Sequence, residues 1–245
     1  MPKQTRRSFL RNTAAIGIGA SFFLGGTKAS GKIIGANDRI RIAVAGINGR
    51  GQAHIRGFGE IDGVEIAALV DPDSRLFDER SERVRAKSGS TPKCYQDIRE
   101  ALDDPTIDAV SVATPNHWHS LITIWACQAG KHVYVEKPCS HNVFEGRKAV
   151  EAAARYNRLV QHGAQNRSSQ GRANQVAAAR EGRYGKLLVA KGYCCKPRWT
   201  IGFKPNAEQP VGLDFNLWLG PAPKQPFHGN LVHYNWHWFW DTGNG

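Results

Sequence analysis

Short apolar segments alternate with longer amphipathic or charged segments along the chain from residue 39 onward. Five of them are nearly continuous in apolar residues, which is the pattern of strands covered on both faces. The predicted strands span residues 40–46, 64–70, 108–114, 132–136 and 159–164. The predicted helices between them span residues 51–58, 74–88, 97–102, 120–129 and 143–156. This alternation indicates the α/β class, with a Rossmann-type doubly wound parallel sheet.

The pattern changes after residue 164. A helix is predicted over residues 169–183 and a strand over residues 187–192. Six of the twelve prolines then fall between Pro197 and Pro226. Because proline cannot donate a backbone hydrogen bond and fixes its own φ, we expect this part of the chain to be largely extended loop.

The first 30 residues differ from the rest in charge, contributing five basic and no acidic residues to a formal net charge of +12. The sequence TRRSFLR at residues 5–11 resembles a twin-arginine export signal. The apolar run that follows, residues 14–26, is shorter than the about 20 residues that span a bilayer. We therefore expect residues 1–30 to be a signal peptide cleaved after Ala29, and the protein to be periplasmic or otherwise exported, without stable membrane insertion after cleavage. An uncleaved anchor or a basic arm is the alternative.

The remaining positive charge is concentrated in residues 155–204, which hold eleven basic residues and one acidic residue, Glu181. A basic surface of this kind often binds nucleic acid. No RNP, helix-turn-helix or zinc-finger pattern accompanies it, so we expect no nucleic-acid partner. Most of the segment is interpreted as a solvated face or as a contact with further parts of the protein.

The cysteines and histidines do not predict a metal site. The five cysteines include no CxxC pair, so they are predicted to be buried small apolar residues. A vicinal disulfide between Cys194 and Cys195 is the alternative. His117 and His119 are two residues apart and point in different directions on any helix, which argues against a shared metal.

A glycine-rich turn, GINGRG at residues 46–51, lies directly between the first predicted strand and the first predicted helix. In dinucleotide-binding folds, the first glycine makes the bend, the second lets the backbone approach the pyrophosphate, and the third packs helix on strand. Gly46 and Gly51 match the first and third positions, whereas Asn48 occupies the second and Gly49 follows at once. The phosphates would lie at the helix N-terminus. These four residues and Arg50 are cofactor-binding candidates.

Asp71 ends the second predicted strand, 20 residues after Gly51. A carboxylate at this position accepts hydrogen bonds from the adenosine ribose and repels a 2′-phosphate. The sequence therefore predicts NAD as the cofactor, with NADP less favoured. Arg75 leaves NADP open, because its charge can shield a phosphate.

Two further motifs follow predicted strands. SVATPNHWH at residues 111–119 and YVEKP at residues 134–138 lie at the carboxyl ends of strands, where open α/β sheets bind ligands. Together with the glycine turn, in this order and spacing, they resemble the Gfo/Idh/MocA family (glucose-fructose oxidoreductase, inositol dehydrogenase and MocA). The resemblance runs from about residue 37 to the end and includes the stretches at residues 212–223 and 233–245.

The resemblance implies a Rossmann NAD(P)-binding domain at residues 36–160, followed by an incomplete α+β open-faced sheet domain at residues 161–245. By the family pattern, five residues would line the cofactor: Thr114, Pro115, Asn116, His119 and Glu136. Lys137 would reach the substrate. Hydride transfer from a carbinol carbon needs a group that takes or stabilises the hydroxyl proton, and a partly desolvated ammonium does so. Lys137 is therefore the catalytic and substrate-binding candidate.

Two features of the basic and aromatic C-terminal part bear on the substrate. Arg167 follows the last predicted Rossmann strand, and we expect it to face the cleft and favour an acidic sugar. The aromatic residues between Trp236 and Trp240 are interpreted as core or interface, with a sugar-stacking wall as the alternative.

The function that the resemblance implies is NAD(P)-dependent hydride transfer to or from a sugar, polyol or sugar derivative. Two alternatives stay open: NAD-dependent glycoside hydrolysis by transient oxidation, and non-catalytic nucleotide or sugar binding. The family continues beyond Gly245, so we expect the chain to be a truncated member or a decayed relative. A full-length version is expected to form a homo-oligomer.

Overall fold

The computed structural model of the chain describes residues 39–194 and 196–244. The predicted signal peptide and Cys195, one half of the possible vicinal disulfide, lie outside these residues. A six-stranded parallel sheet forms the first part of the described chain. Its strands are β1 (Ile40–Ala45), β2 (Val64–Val70), β3 (Lys93–Tyr95), β4 (Ala109–Val112), β5 (His132–Glu136) and β6 (Val160–Gly163).

The spatial order of the strands is β3-β2-β1-β4-β5-β6, and every pairing is parallel. Because β1 pairs with β2 on one side and with β4 on the other, the winding direction reverses in the middle of the sheet. Such a reversal leaves a crevice at the carboxyl ends of the two central strands. The predicted doubly wound sheet is confirmed.

Helices cover both faces of the sheet. They are α1 (Gly51–Phe58), α2 (Phe77–Ser88), α3 (Ile98–Asp103), α4 (Asn116–Gln128), α5 (Val143–Arg155), α6 (Gln170–Arg180) and α7 (Phe215–Leu219). Short 3-10 turns occur at Ser74–Leu76, Gln165–Ser168 and Asn235–Trp238. The side chains of Asp97, Asn142 and Asp214 cap α3, α5 and α7, each accepting a backbone N–H at 2.9 Å. Within the described ranges, no helix is long and apolar enough to cross a membrane.

Two apolar cores lie on opposite faces of the sheet, because successive side chains of a strand point to opposite sides. Ala43 and Ala45 of β1 belong to the core that includes α3, α4 and α5. Ile42 and Val44 belong to the core that includes α1 and α2. Burial on both faces explains why residues 42–45 of β1 are all apolar. A third cluster joins α7 to residues before and after it. Its members are Leu213, Phe215, Trp218, Leu219, Ala222 and Leu231.

Two elements differ from the predictions in the first part of the chain. Helix α4 begins at Asn116, four residues before the predicted start at residue 120. Pro115 precedes it, and the fixed φ and missing N–H of proline suit a helix start. The sequence pattern does not predict β3, because its three residues are too few and too exposed to form an apolar run.

The strand predicted at residues 187–192 is absent, so that prediction is wrong. Leu187, Leu188 and Val189 are 67% to 79% exposed. Beyond β6, the described residues contain isolated β-bridges and no strand. An apolar run becomes a strand only when a neighbour pairs with its N–H and C=O groups. Among the described residues, the part of the chain beyond β6 therefore forms no sheet of its own.

The cysteines also depart in part from their prediction. Cys127 is buried in the core, as predicted. Cys94 and Cys194 are exposed, so the prediction of burial is wrong for both. Cys94 lies on the short edge strand β3, which explains its exposure.

Candidate functional site

A cleft of about 560 Å³ opens at the carboxyl ends of the strands. The segments that follow β1, β2, β4 and β5 form one wall, and the C-terminal segment contributes His233, Tyr234, Trp236 and His237. Eleven of the thirteen candidate site residues line it: Gly46, Asn48, Gly49, Arg50, Asp71, Thr114, Pro115, Asn116, His119, Glu136 and Lys137. Motifs that are far apart in the sequence therefore meet at one place.

The other two candidates do not line the cleft. Gly51 is the first residue of α1, and a Cβ there would lie 1.9 Å from the carbonyl oxygen of Gly46. Gly51 therefore has the role of the third glycine, which lets the helix pack closely on the strand. Arg167 is exposed on the turn after β6, and its neighbours Gln165 and Asn166 line the cleft instead. The structure thus corrects the expectation that Arg167 faces the cleft.

The turn after β1 passes close to β4. Gly46 has a φ of +80°, and a Cβ there would lie 2.6 Å from Thr114 N. Both observations require glycine. At Gly49 no atom lies within 4 Å of the position a Cβ would take, so the backbone is open there. Arg50 provides no side-chain cap to α1, which leaves the positive end of the helix dipole available at the cleft.

Thr114, at the end of β4, carries a buried hydroxyl that has no hydrogen-bond partner in the described part of the chain. The residue lines the cleft. A buried hydroxyl without a partner is unfavourable, so a polar ligand in the cleft would supply the missing hydrogen bond. Together with the open backbone at Gly49, this hydroxyl makes the cleft fit a dinucleotide.

Asp71, at the end of β2, is 5% exposed and lines the cleft. Its carboxylate accepts hydrogen bonds from Ile47 N at 2.9 Å and from Asp73 N at 3.0 Å. Burial raises its pKa to about 6, although the two N–H groups oppose that shift. The carboxylate is therefore ionised at neutral pH and tied to the glycine turn.

Glu136, at the end of β5, accepts four hydrogen bonds. Its Oε1 accepts from Arg50 Nε at 2.7 Å, His54 Nε2 at 2.9 Å and Gln165 Nε2 at 2.5 Å. Among the residues that the structure describes, its Oε2 accepts only from Lys137 N, at 3.1 Å. Burial alone would raise the pKa of Glu136, but the side-chain donors lower it to about 2. Glu136 is thus a permanent carboxylate, and Oε2 retains capacity for a ligand hydroxyl.

His54 is a buried residue of α1 that the motifs do not identify. Its Nδ1 lies 2.7 Å from Ser111 Oγ and its Nε2 lies 2.9 Å from Glu136 Oε1. Burial lowers its pKa, although Glu136 opposes the shift, so the ring is neutral. Because the ionised Glu136 can only accept, Nε2 carries the proton and Nδ1 accepts from Ser111. The spacing of Gly51, His54, Ile55 and Phe58 is the signal that places His54 towards the sheet.

Lys137 lies at the cleft with an exposed side chain. Its charge contributes to lowering the pKa of His237, for which burial is the larger cause. His237 Nδ1 lies 2.5 Å from Tyr234 O and therefore donates to it, which leaves Nε2 as an acceptor. The proposed substrate end of the cleft thus combines an ammonium with a neutral imidazole.

His119 and His117 are both buried and contact different backbone carbonyls. His119 Nδ1 is 2.6 Å from Pro138 O and its Nε2 is 2.9 Å from Thr114 O, so the ring joins the ends of β5 and β4. His117 lies 3.2 Å from Trp218 O through Nε2 and 3.3 Å from Thr242 O through Nδ1. Burial lowers the pKa of both rings, to about 4 for His117.

The C-terminal aromatic residues divide between the cleft, the core and the surface. Trp236 lines the cleft and stacks on His237, with ring centroids 3.6 Å apart. Phe239 packs against the third apolar cluster, whereas Trp240 is 93% exposed. The interpretation as core applies to Phe239 and also to Trp236, which packs against the same cluster, and the stacking-wall alternative stays open for Trp236.

Two family models match the chain. Residues 40–164 match the Gfo/Idh/MocA model described as an oxidoreductase family with an NAD-binding Rossmann fold. Residues 186–245 match the model described as the oxidoreductase family C-terminal alpha/beta domain. The sheet lies within the first match, whereas residues of both matches line the cleft.

Curated relatives of the chain include glycosyl hydrolases. A glycosyl hydrolase family 109 protein of Shewanella pealeana is 30% identical over 184 residues, which cover 72% of this chain and 40% of the relative. The chain therefore spans about two fifths of the length of the curated relatives it matches.

Solved structures share the fold. A myo-inositol 2-dehydrogenase from Lactobacillus plantarum has a TM-score of 0.55 at 24% identity, covering 62% of this chain and 44% of its own. An NAD binding oxidoreductase from Klebsiella pneumoniae has a TM-score of 0.50 at 30% identity, covering 59% and 39%.

Proposed function

Because the chain belongs to the Gfo/Idh/MocA oxidoreductase family, we propose that its cleft holds NAD and a sugar, polyol or sugar derivative for hydride transfer between them. One observation carries the proposal: the glycine turn, Asp71, Thr114, Glu136 and Lys137 come from four different strand ends and line one cleft. Ligand sites of open α/β sheets occur at this position.

The proposed cofactor contacts follow the sheet from β2 to β5. Asp71 accepts hydrogen bonds from the adenosine ribose, and the open backbone at Gly49 with the start of α1 holds the pyrophosphate. The hydroxyl of Thr114 gains its missing partner. Glu136 binds a hydroxyl of the second ribose through Oε2, while Oε1 stays occupied by Arg50, His54 and Gln165.

NAD, when bound, supplies the hydride acceptor for oxidation of a carbinol carbon. Lys137 contributes the polar group at the reacting hydroxyl, where its Nζ takes or stabilises the proton. Glu136 cannot serve as the acid or base near neutral pH, because its pKa is about 2. Its role is to orient Lys137 N, Arg50 and the cofactor.

Glycoside cleavage is a second candidate, favoured by the Shewanella pealeana glycosyl hydrolase family 109 relative. Transient oxidation of a ring carbon would acidify the neighbouring C–H bond, whose proton would pass to a base as the glycosidic C–O bond breaks and the alcohol leaves. Water would then add to the double bond, and return of the hydride would restore the ring alcohol. The same residues would serve both reactions. Net oxidation accumulates NADH and a ketone, whereas redox-neutral cleavage releases an alcohol without net NADH.

A paired assay distinguishes these functions. The purified chain would be given NAD+ with free sugars and polyols while NADH absorbance is followed, and with p-nitrophenyl glycosides while nitrophenol release is followed. NADH formation supports the first candidate, and nitrophenol release without NADH supports the second. Lys137→Met should reduce either activity by about 100-fold while NAD binding is retained. NAD binding without either activity would favour a non-catalytic binding protein.

We also propose that the protein is exported through the twin-arginine route, on the basis of residues 5–11 and the apolar run after them. In cells with this pathway, the protein should appear in the periplasmic fraction. Arg6→Lys with Arg7→Lys should keep it in the cytoplasm, because the signal requires the paired guanidinium groups. Periplasmic protein in that variant would contradict the proposal.

A further inference from the structure

Two carboxylates follow β2, and they have different surroundings. Asp71 lines the cleft, whereas Asp73 does not, and its side chain is only 1% exposed. Asp73 holds Arg75 in a fork: Arg75 Nε donates to Oδ1 at 2.7 Å, and Nη2 donates to Oδ2 at 2.5 Å. A planar guanidinium bound through two nitrogens to one carboxylate is fixed in orientation. Arg75 is therefore tied beside the cleft and is not among its lining residues.

A second side chain holds Asp73 from the C-terminal segment. His233 lines the cleft, and its Nε2 lies 2.8 Å from Asp73 Oδ2. Next to this contact, Ser74 N and Oγ donate to Gly212 O at 2.9 and 3.0 Å. Burial alone would raise the pKa of Asp73, but the hydrogen bonds from Arg75 and His233 lower it. Asp73 is thus a fixed carboxylate at neutral pH.

The next arginine at this edge of the sheet is held in the same way. Asp97, which lines the cleft, accepts from Arg99 Nε at 3.0 Å and from Arg99 Nη2 at 2.5 Å. Arg75 and Arg99 are therefore each paired with a carboxylate. Neither of these two guanidinium groups is free to serve a ligand beside Asp71.

We propose that Asp73 is a positioning residue for cofactor choice, which keeps the site selective for NAD over NADP by holding Arg75 away from the cleft. The inference rests on the proposed function, because it requires the adenosine ribose to lie at Asp71. A 2′-phosphate carries roughly two negative charges at neutral pH, and sites that accept it use a nearby arginine. Arg75 is the first basic residue after β2. Its pairing with Asp73 removes it from that role.

The first test compares the affinities for NAD+ and NADP+ of the wild-type chain and of Asp73→Asn, by calorimetric titration. The variant keeps the shape of the side chain but releases Arg75, so NADP+ affinity should rise about tenfold relative to NAD+ affinity. Adding Arg75→Ala should return the ratio to its wild-type value. The matched control is Glu82→Gln, which removes a carboxylate from an exposed Arg85 pair on α2 and should leave the ratio unchanged.

The second test does not depend on the folding of the Asp73 variant. Arg75→Ala in the wild-type background should leave NADP+ affinity within about twofold, because the guanidinium is already occupied. A fivefold or greater loss would mean that Arg75 already serves the phosphate, which overturns the inference. Equal weakening of NAD+ and NADP+ in Asp73→Asn would also overturn it, since that is the signature of a merely structural role.

Failure of the proposed function and failure of the inference about Asp73 give different binding results. Wild-type protein that binds neither dinucleotide overturns the proposed function and the inference together. Wild-type protein that binds NAD+ while Asp73→Asn leaves the ratio unchanged overturns the inference alone.

Discussion

At the scale of one residue, Asp71 is subject to two opposing effects. Its charge is needed for the ribose contact, but burial disfavours that charge and raises its pKa to about 6. The ordinary pKa of such a group is 3.8, so the folded state binds this proton more tightly than the unfolded state. The resulting stabilisation is fully present below the unfolded pKa and is lost as the pH rises through the folded value.

Asp71→Asn removes this titration. Between pH 4 and pH 7, the wild type should lose on the order of 2 kcal/mol of its free energy of unfolding relative to the variant. Urea denaturation of both proteins at several pH values measures the difference. NAD affinity should fall in the variant at every pH. A difference that does not change with pH would contradict the raised pKa.

His54 connects Ser111 of β4 to Glu136 of β5, with one hydrogen bond to each. His54→Phe removes both of them, leaving Ser111 without its imidazole partner and Glu136 with one donor fewer, so it should lower the free energy of unfolding by about 2 kcal/mol. His54→Gln can keep one of the two and should lose less. Ser111→Ala is the control, because it removes only the bond to Nδ1. A phenylalanine variant as stable as the wild type would show that the network contributes nothing.

The glycine turn and α1 act as one element. Gly51→Ala places a Cβ 1.9 Å from the Gly46 carbonyl oxygen, so α1 must move away from β1. We expect a loss of about 3 kcal/mol in the free energy of unfolding. Gly49→Val is the matched substitution, since its side chain enters open space, and its thermal unfolding should stay close to wild type. Equal losses in both variants would contradict the assigned geometry.

Sequence patterns predict the strands and helices that are marked by a run of apolar residues within their own sequence. β1, β2 and β5 are mostly apolar because α/β packing buries much of both of their faces, and their predicted bounds hold within one residue. β3 carries no such signal, since it is a short edge strand. The run at residues 187–192 has strand composition, but composition does not supply a pairing partner. Helix α4 begins within the motif at residues 111–119, directly after Pro115.

The sequence likewise predicts one part of the candidate site and not the other. Motif spacing identifies the glycine turn, Asp71 and the ends of β4 and β5, because strand ends of a parallel sheet meet at one edge. It does not identify the contacts of Glu136 with His54 or of Asp73 with His233, which join residues 82 and 160 positions apart. Such contacts depend on the whole fold.

At the scale of the whole molecule, the C-terminal segment returns to the carboxyl edge of the sheet. Asn116 Nδ2 donates to Asn244 Oδ1 at 2.9 Å, and His141 Nε2 lies 3.2 Å from Gly243 O. With the contacts of His117 and His233, these bonds bring the second family match onto the first. The cleft therefore combines cofactor groups from the sheet with aromatic and imidazole groups from residues 233–237.

Titration of the purified chain with NAD+ tests the central claim that this cleft is a dinucleotide site. We predict one NAD+ bound per chain, and binding at least about tenfold weaker in Gly49→Val, because the new side chain fills the backbone opening meant for the pyrophosphate. Circular dichroism and the melting temperature of the variant would confirm that it is folded. No binding by the wild type, or equal binding by the folded variant, would contradict the account.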